Sequence, residues 1–223
     1  MIPTWGYAIV CSLVFFLLAS SITGLLTYRK FWRGFFRRPR SRTMRTLMGD
    51  LHRLGGVWSI WFLVILTATS LWYFWIRVGE PLLHFPHAVQ DETPPVMPQA
   101  DFDRLGPDTP KMFSPDGLAA EVRRAFPEFR IGYLTLPDTH GDAMTFSGNT
   151  GELFGQYLSK VYVEPYGGRI LGHRMSRDSY SFAWAGALAD ALHFGNFAGL
   201  VSKTVWFLFG AVVTALSITG VIV

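Results

Sequence analysis

The segment Arg29–Arg53, RKFWRGFFRRPRSRTMRTLMGDLHR, holds nine Lys/Arg and one acid, Asp50. An uncharged apolar run lies on each side of it, Met1–Tyr28 before and Leu54–Ile76 after. A short basic stretch between two such runs is the mark of a cytoplasmic turn between transmembrane helices. A third uncharged run, Thr204–Val223, closes the chain. Each run is near the ~20 residues that cross a hydrocarbon core of ~30 Å.

Composition agrees. Of 223 residues, 50% are hydrophobic and 16% charged, against about 25% charged in soluble domains. The net charge of +4 is a sum of opposites. Outside the basic segment, residues 77–203 carry eleven bases and fifteen acids. The basic excess therefore follows membrane topology, with anionic lipid headgroups of the bilayer as counter-charge, and does not point to nucleic acid. One cysteine, Cys11, excludes an intrachain disulfide and a cysteine-rich metal site. The N-terminal run has its positive charge after the apolar stretch, unlike a cleavable signal peptide.

Working outward gives an order. Residues 1–28 are transmembrane helix 1, with Ser20 and Gly24 on one close-approach face. Residues 29–53 are the cytoplasmic loop, broken by Pro39. Residues 54–76 are helix 2, with Trp72, Tyr73 and Trp75 as an aromatic belt at its outer end. Residues 77–109 form a proline-rich linker.

Residues 110–173 read as a small α+β unit outside the membrane. Ser114-Pro115-Asp116 starts its helix and Pro127 stops it. Four strands are expected at Arg130–Leu136, Ala143–Ser147, Leu153–Leu158 and Lys160–Glu164, with Arg169–Gly172 as a further candidate. Residues 174–202 read as an amphipathic, interfacial helix carrying Asp190 and His193. Residues 203–223 are helix 3. Alternation puts the N-terminus and residues 77–203 outside and 29–53 inside. Ser21-Ile22-Thr23-Gly24 recurs as Ser217-Ile218-Thr219-Gly220. The second copy has no basic anchor after it, so the expectation is either a longer natural protein or a truncated reading frame.

These residues resemble a known family. Asp50-Leu51-His52 entering a helix, Leu192-His193-Phe194-Gly195 before another, and the two Ile-Thr-Gly helix ends are similar to the PepSY-associated transmembrane family. The run Val161-Tyr162-Val163-Glu164-Pro165-Tyr166-Gly167-Gly168-Arg169-Ile170-Leu171-Gly172 resembles its PepSY domain, with Gly-Gly where that family tends to have a Thr-Gly turn. The resemblance implies a multi-pass bacterial inner-membrane protein linked to iron uptake. Some members are haem-containing reductases of iron–siderophore complexes, and larger ones have two such halves.

On that resemblance, His52 and His193 are candidate axial ligands of haem b, each with a glycine nearby, Gly56 and Gly195, that leaves room for a porphyrin edge. The alternative for each is structural: a boundary histidine, or a hydrogen-bonded one in a surface helix. The two lie in opposite leaflets, ~30 Å apart by helix rise, so they demand two sites. The second axial ligand of each would come from a homodimer, a missing half of the chain or, outside, from His84 or His87. His140 and His173 read as solvated loop residues.

The function expected is electron transfer outward to ferric chelates in the periplasm. With no nicotinamide or flavin motif in the chain, a quinol or a flavoprotein would be the donor. The alternative is a non-enzymatic anchor that presents a PepSY domain for protein binding or peptidase regulation.

Overall fold

The computed structural model describes residues 4–27, 30, 33, 35–36, 38–40, 42–85, 94–98, 101, 103–104, 112–139 and 141–222. They fall into two compact units, Met1–Ala88 with Leu192–Val223, and Val89–Ala191.

The first unit is built of helices. α1 spans Thr4–Thr27 without a charged side chain. Its Ser21 and Thr23 hydroxyls donate to the carbonyls of Leu17 and Ala19, each at 2.8 Å. Such internal bonds are what a polar group needs where no water reaches it.

α2 spans Met44–Phe74. It begins at Met44, inside the segment read above as a loop. Thr43 caps it, accepting from the Thr46 backbone at 3.2 Å, while the Thr46 hydroxyl accepts from the Thr43 backbone at 3.2 Å. A threonine thus fills the place usually taken by Glu or Gln in a capping box. At its far end the helix runs through a π-turn, Trp75–Gly79, into the short α3, Glu80–Leu83. It stops at His84, whose φ of 55° is left-handed. The continuous 40-residue rod Met44–Leu83 is about twice the length a bilayer core requires.

In the second unit, α4 spans Pro115–Ala125, with Ser114 accepting from Gly117 N as cap. Strands β1 (Arg130–Thr135), β2 (Met144–Asn149), β3 (Ser159–Val163) and β4 (Ile170–Arg174) form an antiparallel meander in the order β1-β2-β3-β4. Leu118 and Val122 of α4 pack on Met144, Phe146, Val161 and Val163 to make the core.

The strand expected at Leu153–Leu158 is not formed. Gly151 and Gly155 take φ of 111° and 87°, and Leu158 N donates to Gly155 O at 3.0 Å, so the stretch turns instead of extending. The Ile170–Arg174 strand takes its place in the sheet.

α5 spans Ser181–Phe194, within the 174–202 segment expected to hold a helix. A separate 3-10 turn, Ser176–Asp178, precedes it. The last helix, α6, spans Gly199–Ile222.

Among the described residues three helical segments are long and apolar enough to cross a membrane: Trp5–Thr27, Met44–Leu83 and Gly199–Val221. The protein is a multi-pass membrane protein with an inserted four-stranded α+β unit. α2 packs against both α1 and α6. Phe15 meets Phe74 edge-on at 4.9 Å on one side, and Trp61 meets Trp206 and Phe209 at 5.8 and 4.7 Å on the other. The outward faces stay apolar, with Ile9, Phe16, Phe207 and Val221 among the exposed side chains, as lipid contact requires.

Candidate functional site

His52 lies in the third turn of α2, a position set by the Thr43 cap. Its Nδ1 is 2.9 Å from Thr219 Oγ1 on α6. The Thr219 hydroxyl proton has a taker already: Oγ1 donates to Ala215 O at 2.8 Å and to Leu216 O at 3.3 Å. A hydroxyl has one proton and two lone pairs, so with its proton on a helix carbonyl Thr219 can accept from the ring. In the neutral ring this places the proton on Nδ1 and the lone pair on Nε2.

Two glycines let the helices come this close. A Cβ on Gly220 would stand 3.3 Å from His52 Cε1, and one on Gly55 would stand 3.2 Å from Leu216 Cδ2.

His52 forms part of the wall of two clefts. The smaller, about 500 Å³, is apolar and bounded by Met48, Leu51 and Trp58 of α2 and Leu208, Val212 and Leu216 of α6. The larger, about 930 Å³, opens between α1, α2 and α6. Ser20, Ser21, Thr23, Gly24 and Arg53 give it a polar side, while Leu17, Ile60, Leu63 and Val213 make the rest apolar. Its size lies within the ~300–1,000 Å³ usual for cofactor sites. Gly56 lines it with nothing within 4 Å of where a Cβ would be.

Arg53 is 3.7 Å from Asp50, which also accepts from Arg40 Nε at 2.9 Å, Nη2 at 3.1 Å and backbone N at 3.1 Å. Arg40 is thereby tied to the start of α2. The Asp50 carboxylate raises the Arg40 guanidinium above its already high value, through a hydrogen bond first and charge second.

His193 closes the last turn of α5. Its Nδ1 is 2.9 Å from Thr69 Oγ1, and Thr69 donates to Ile65 O at 2.9 Å and to Leu66 O at 3.1 Å. Tyr73 and Phe194 meet the ring edge-on, each at 5.0 Å. Thr69 stands seventeen positions after His52 on α2, so the two histidines are held at levels about 25 Å apart along the helix.

Gly195 serves the chain path. Its φ is 63°, and a Cβ there would be 2.5 Å from Trp206, whose Nε1 donates to Leu192 O at 2.7 Å. His84 is exposed and ends α3; His173 is exposed on β4, its ring 4.8 Å from that of Phe126. His87 and His140 lie outside the described residues.

Thr69 escapes a reading of the sequence. Its signal is only a hydroxyl pair, Thr69-Ser70, inside an apolar helix. Thr219 is visible through the repeated Ile-Thr-Gly, though not its bond to His52.

Among the described residues no three or more His, Cys, Asp or Glu converge. A haem iron needs one or two protein ligands, an apolar slot and a cation for its carboxylates. His52, the larger cleft and Arg53 would fit these needs, with Thr219 beside the ring as hydrogen-bond partners stand beside ligating histidines.

Fold and site thus define a polytopic membrane protein whose helices hold two histidines by threonine hydroxyls and whose chain carries a small α+β unit. The chain belongs to the family of the PepSY-associated TM region, which matches residues 1–223. No curated protein matches it.

Proposed function

We propose that the protein is a b-type haem protein of the bacterial inner membrane that passes electrons outward to ferric chelates. Residues 29–53 lie on the cytoplasmic side and residues 77–203 on the periplasmic side, as the positive-inside rule has it. The observation that carries the reading is the pair of histidines, each with Nδ1 2.9 Å from a threonine hydroxyl. With Nδ1–H donating to Thr219, the His52 ring has its lone pair on Nε2, the state an axial ligand needs.

His52 would hold one haem in the cleft beside Gly56, with Arg53 facing its carboxylates. His193 would hold a second near the other end of α2. Thr219 and Thr69 orient the rings and hold the Nδ1 protons. The apolar walls exclude water. Bound haem would supply one-electron transfer between ferric and ferrous iron. A quinol or a reduced flavoprotein gives up the electron on one side, and a ferric chelate takes it on the other.

The test is a visible spectrum of the detergent-purified protein, expressed with ample haem, before and after dithionite. A Soret band with a reduced α band is expected, diminished in His52→Ala and His193→Ala separately. Absence of any haem band in the folded protein refutes the reading and leaves a membrane anchor that presents its α+β unit to a partner.

A further inference from the structure

Thr219 holds His52, and Thr219 is the third residue of a Ser-Ile-Thr-Gly that occurs twice. The first copy is on α1, and its Thr23 has the same local geometry. Thr23 Oγ1 donates to Ala19 O at 2.8 Å and lies 3.2 Å from Ser20 O. Thr219 does so to Ala215 O at 2.8 Å and Leu216 O at 3.3 Å. Thr69, the holder of His193, shows the pattern again with Ile65 and Leu66 at 2.9 and 3.1 Å. In all three Oγ1 lies within hydrogen-bond distance of the carbonyls four and three residues back.

Two of the three stand 2.9 Å from an imidazole Nδ1. Thr23 has no such ring among the described residues, yet it lines the same cleft as His52, with Gly24 beside it open to at least 4 Å. His52 is the one imidazole among the described residues of that cleft.

We propose that Thr23 is a third imidazole-holding position, which takes the N–H of a second axial ligand on the α1 side of the cleft. Resting on the haem reading above, this gives Thr23 the role for the incoming ring that Thr219 has for His52. The ligand is an imidazole with a free N–H: a histidine of a second copy of this chain, or one from another protein.

The test uses the full chain in detergent, loaded with haem, and two probes. Imidazole has an N–H to give; 1-methylimidazole has none. With each affinity normalised to free haem, the wild type should favour imidazole about fivefold, the worth of one hydrogen bond. Thr23→Val should abolish that preference, Thr23→Ser should keep it, and Thr214→Val, which removes a helix-bonded hydroxyl of α6 outside the cleft, should leave it unchanged. A preference unaltered in Thr23→Val, or absent from the wild type, overturns the proposal while leaving the haem reading intact. No Soret band in the wild type overturns both.

If the loaded protein is already low-spin, its ligand is in place. Thr23→Val should then move the low-spin electron paramagnetic resonance signal, and an unmoved signal overturns the proposal. Dilution below the dimer range separates the sources: a second copy is lost and the spectrum turns high-spin, whereas a co-purified partner persists.

Discussion

Replacing Thr219 by valine keeps the branched shape and removes the one atom that holds His52. Three bonds are affected. The bonds to Ala215 O and Leu216 O cost little, because those carbonyls keep their helical N–H partners. The bond of 2.9 Å from His52 Nδ1 is the one that matters. A typical net hydrogen bond is worth about 0.5–1.5 kcal/mol, and a buried donor left unmatched costs about 1–3 kcal/mol. His52 is only half-buried, so its freed N–H can reach water by rotating, and the lower part of that range applies.

About 1–2 kcal/mol corresponds to roughly 5- to 30-fold in haem affinity, at about 1.4 kcal/mol per tenfold. That overlaps the ~10–100-fold seen when partners of ligating histidines are removed. Haem titration of the purified apo-protein, read at the Soret band, measures it. Thr219→Ser should recover most of the loss, since it restores the acceptor. Valine and wild type binding haem equally, with the helices intact by circular dichroism, would refute the claim that this hydroxyl positions the ligand.

Thr69→Val should act on the other site alone: haem content falls towards half, and the remaining spectrum stays sensitive to His52→Ala. Gly195→Ala places a side chain at φ 63° and against Trp206, a strain of about 2 kcal/mol or more, and should lower the thermal midpoint by several degrees without creating a new spectral species. Burial raises the Glu152 carboxyl, but hydrogen bonds from the Ser176 and Thr150 hydroxyls and two backbone N–H groups outweigh it and hold it below its ordinary value. A depressed folded-state value adds stability above the unfolded value of ~4.3, lost as pH falls through the folded one. Hydrogen exchange of the β2–β3 segment should therefore speed up as pH is lowered through that window, after correction for intrinsic rates, and Glu152→Gln should flatten the response.

The membrane spans were legible because they are a matter of composition: a run of some twenty apolar residues without a charge is seldom anything but a span. The α4 cap and its stop at Pro127 were equally local. Errors arose where a local signal was ambiguous. Charge made residues 44–53 look like loop, because a capping box with threonine in place of Glu or Gln is easily passed over. Leu153–Leu158 has strand-like residues, yet two glycines with positive φ turn it away from the sheet.

The site was half legible for a different reason. A histidine at a helix mouth can be named from sequence, but whether it is a boundary residue or a held ligand depends on a hydroxyl far along the chain. Thr219 is 167 residues from His52, and Thr69 is 124 from His193. Only packing of α6 and of the end of α5 against α2 makes those pairs. A repeated tetrapeptide is the exception, because it carries tertiary information in local form. If one Ser-Ile-Thr-Gly holds an imidazole against α2, its copy in the wall of the same cleft is placed to hold another.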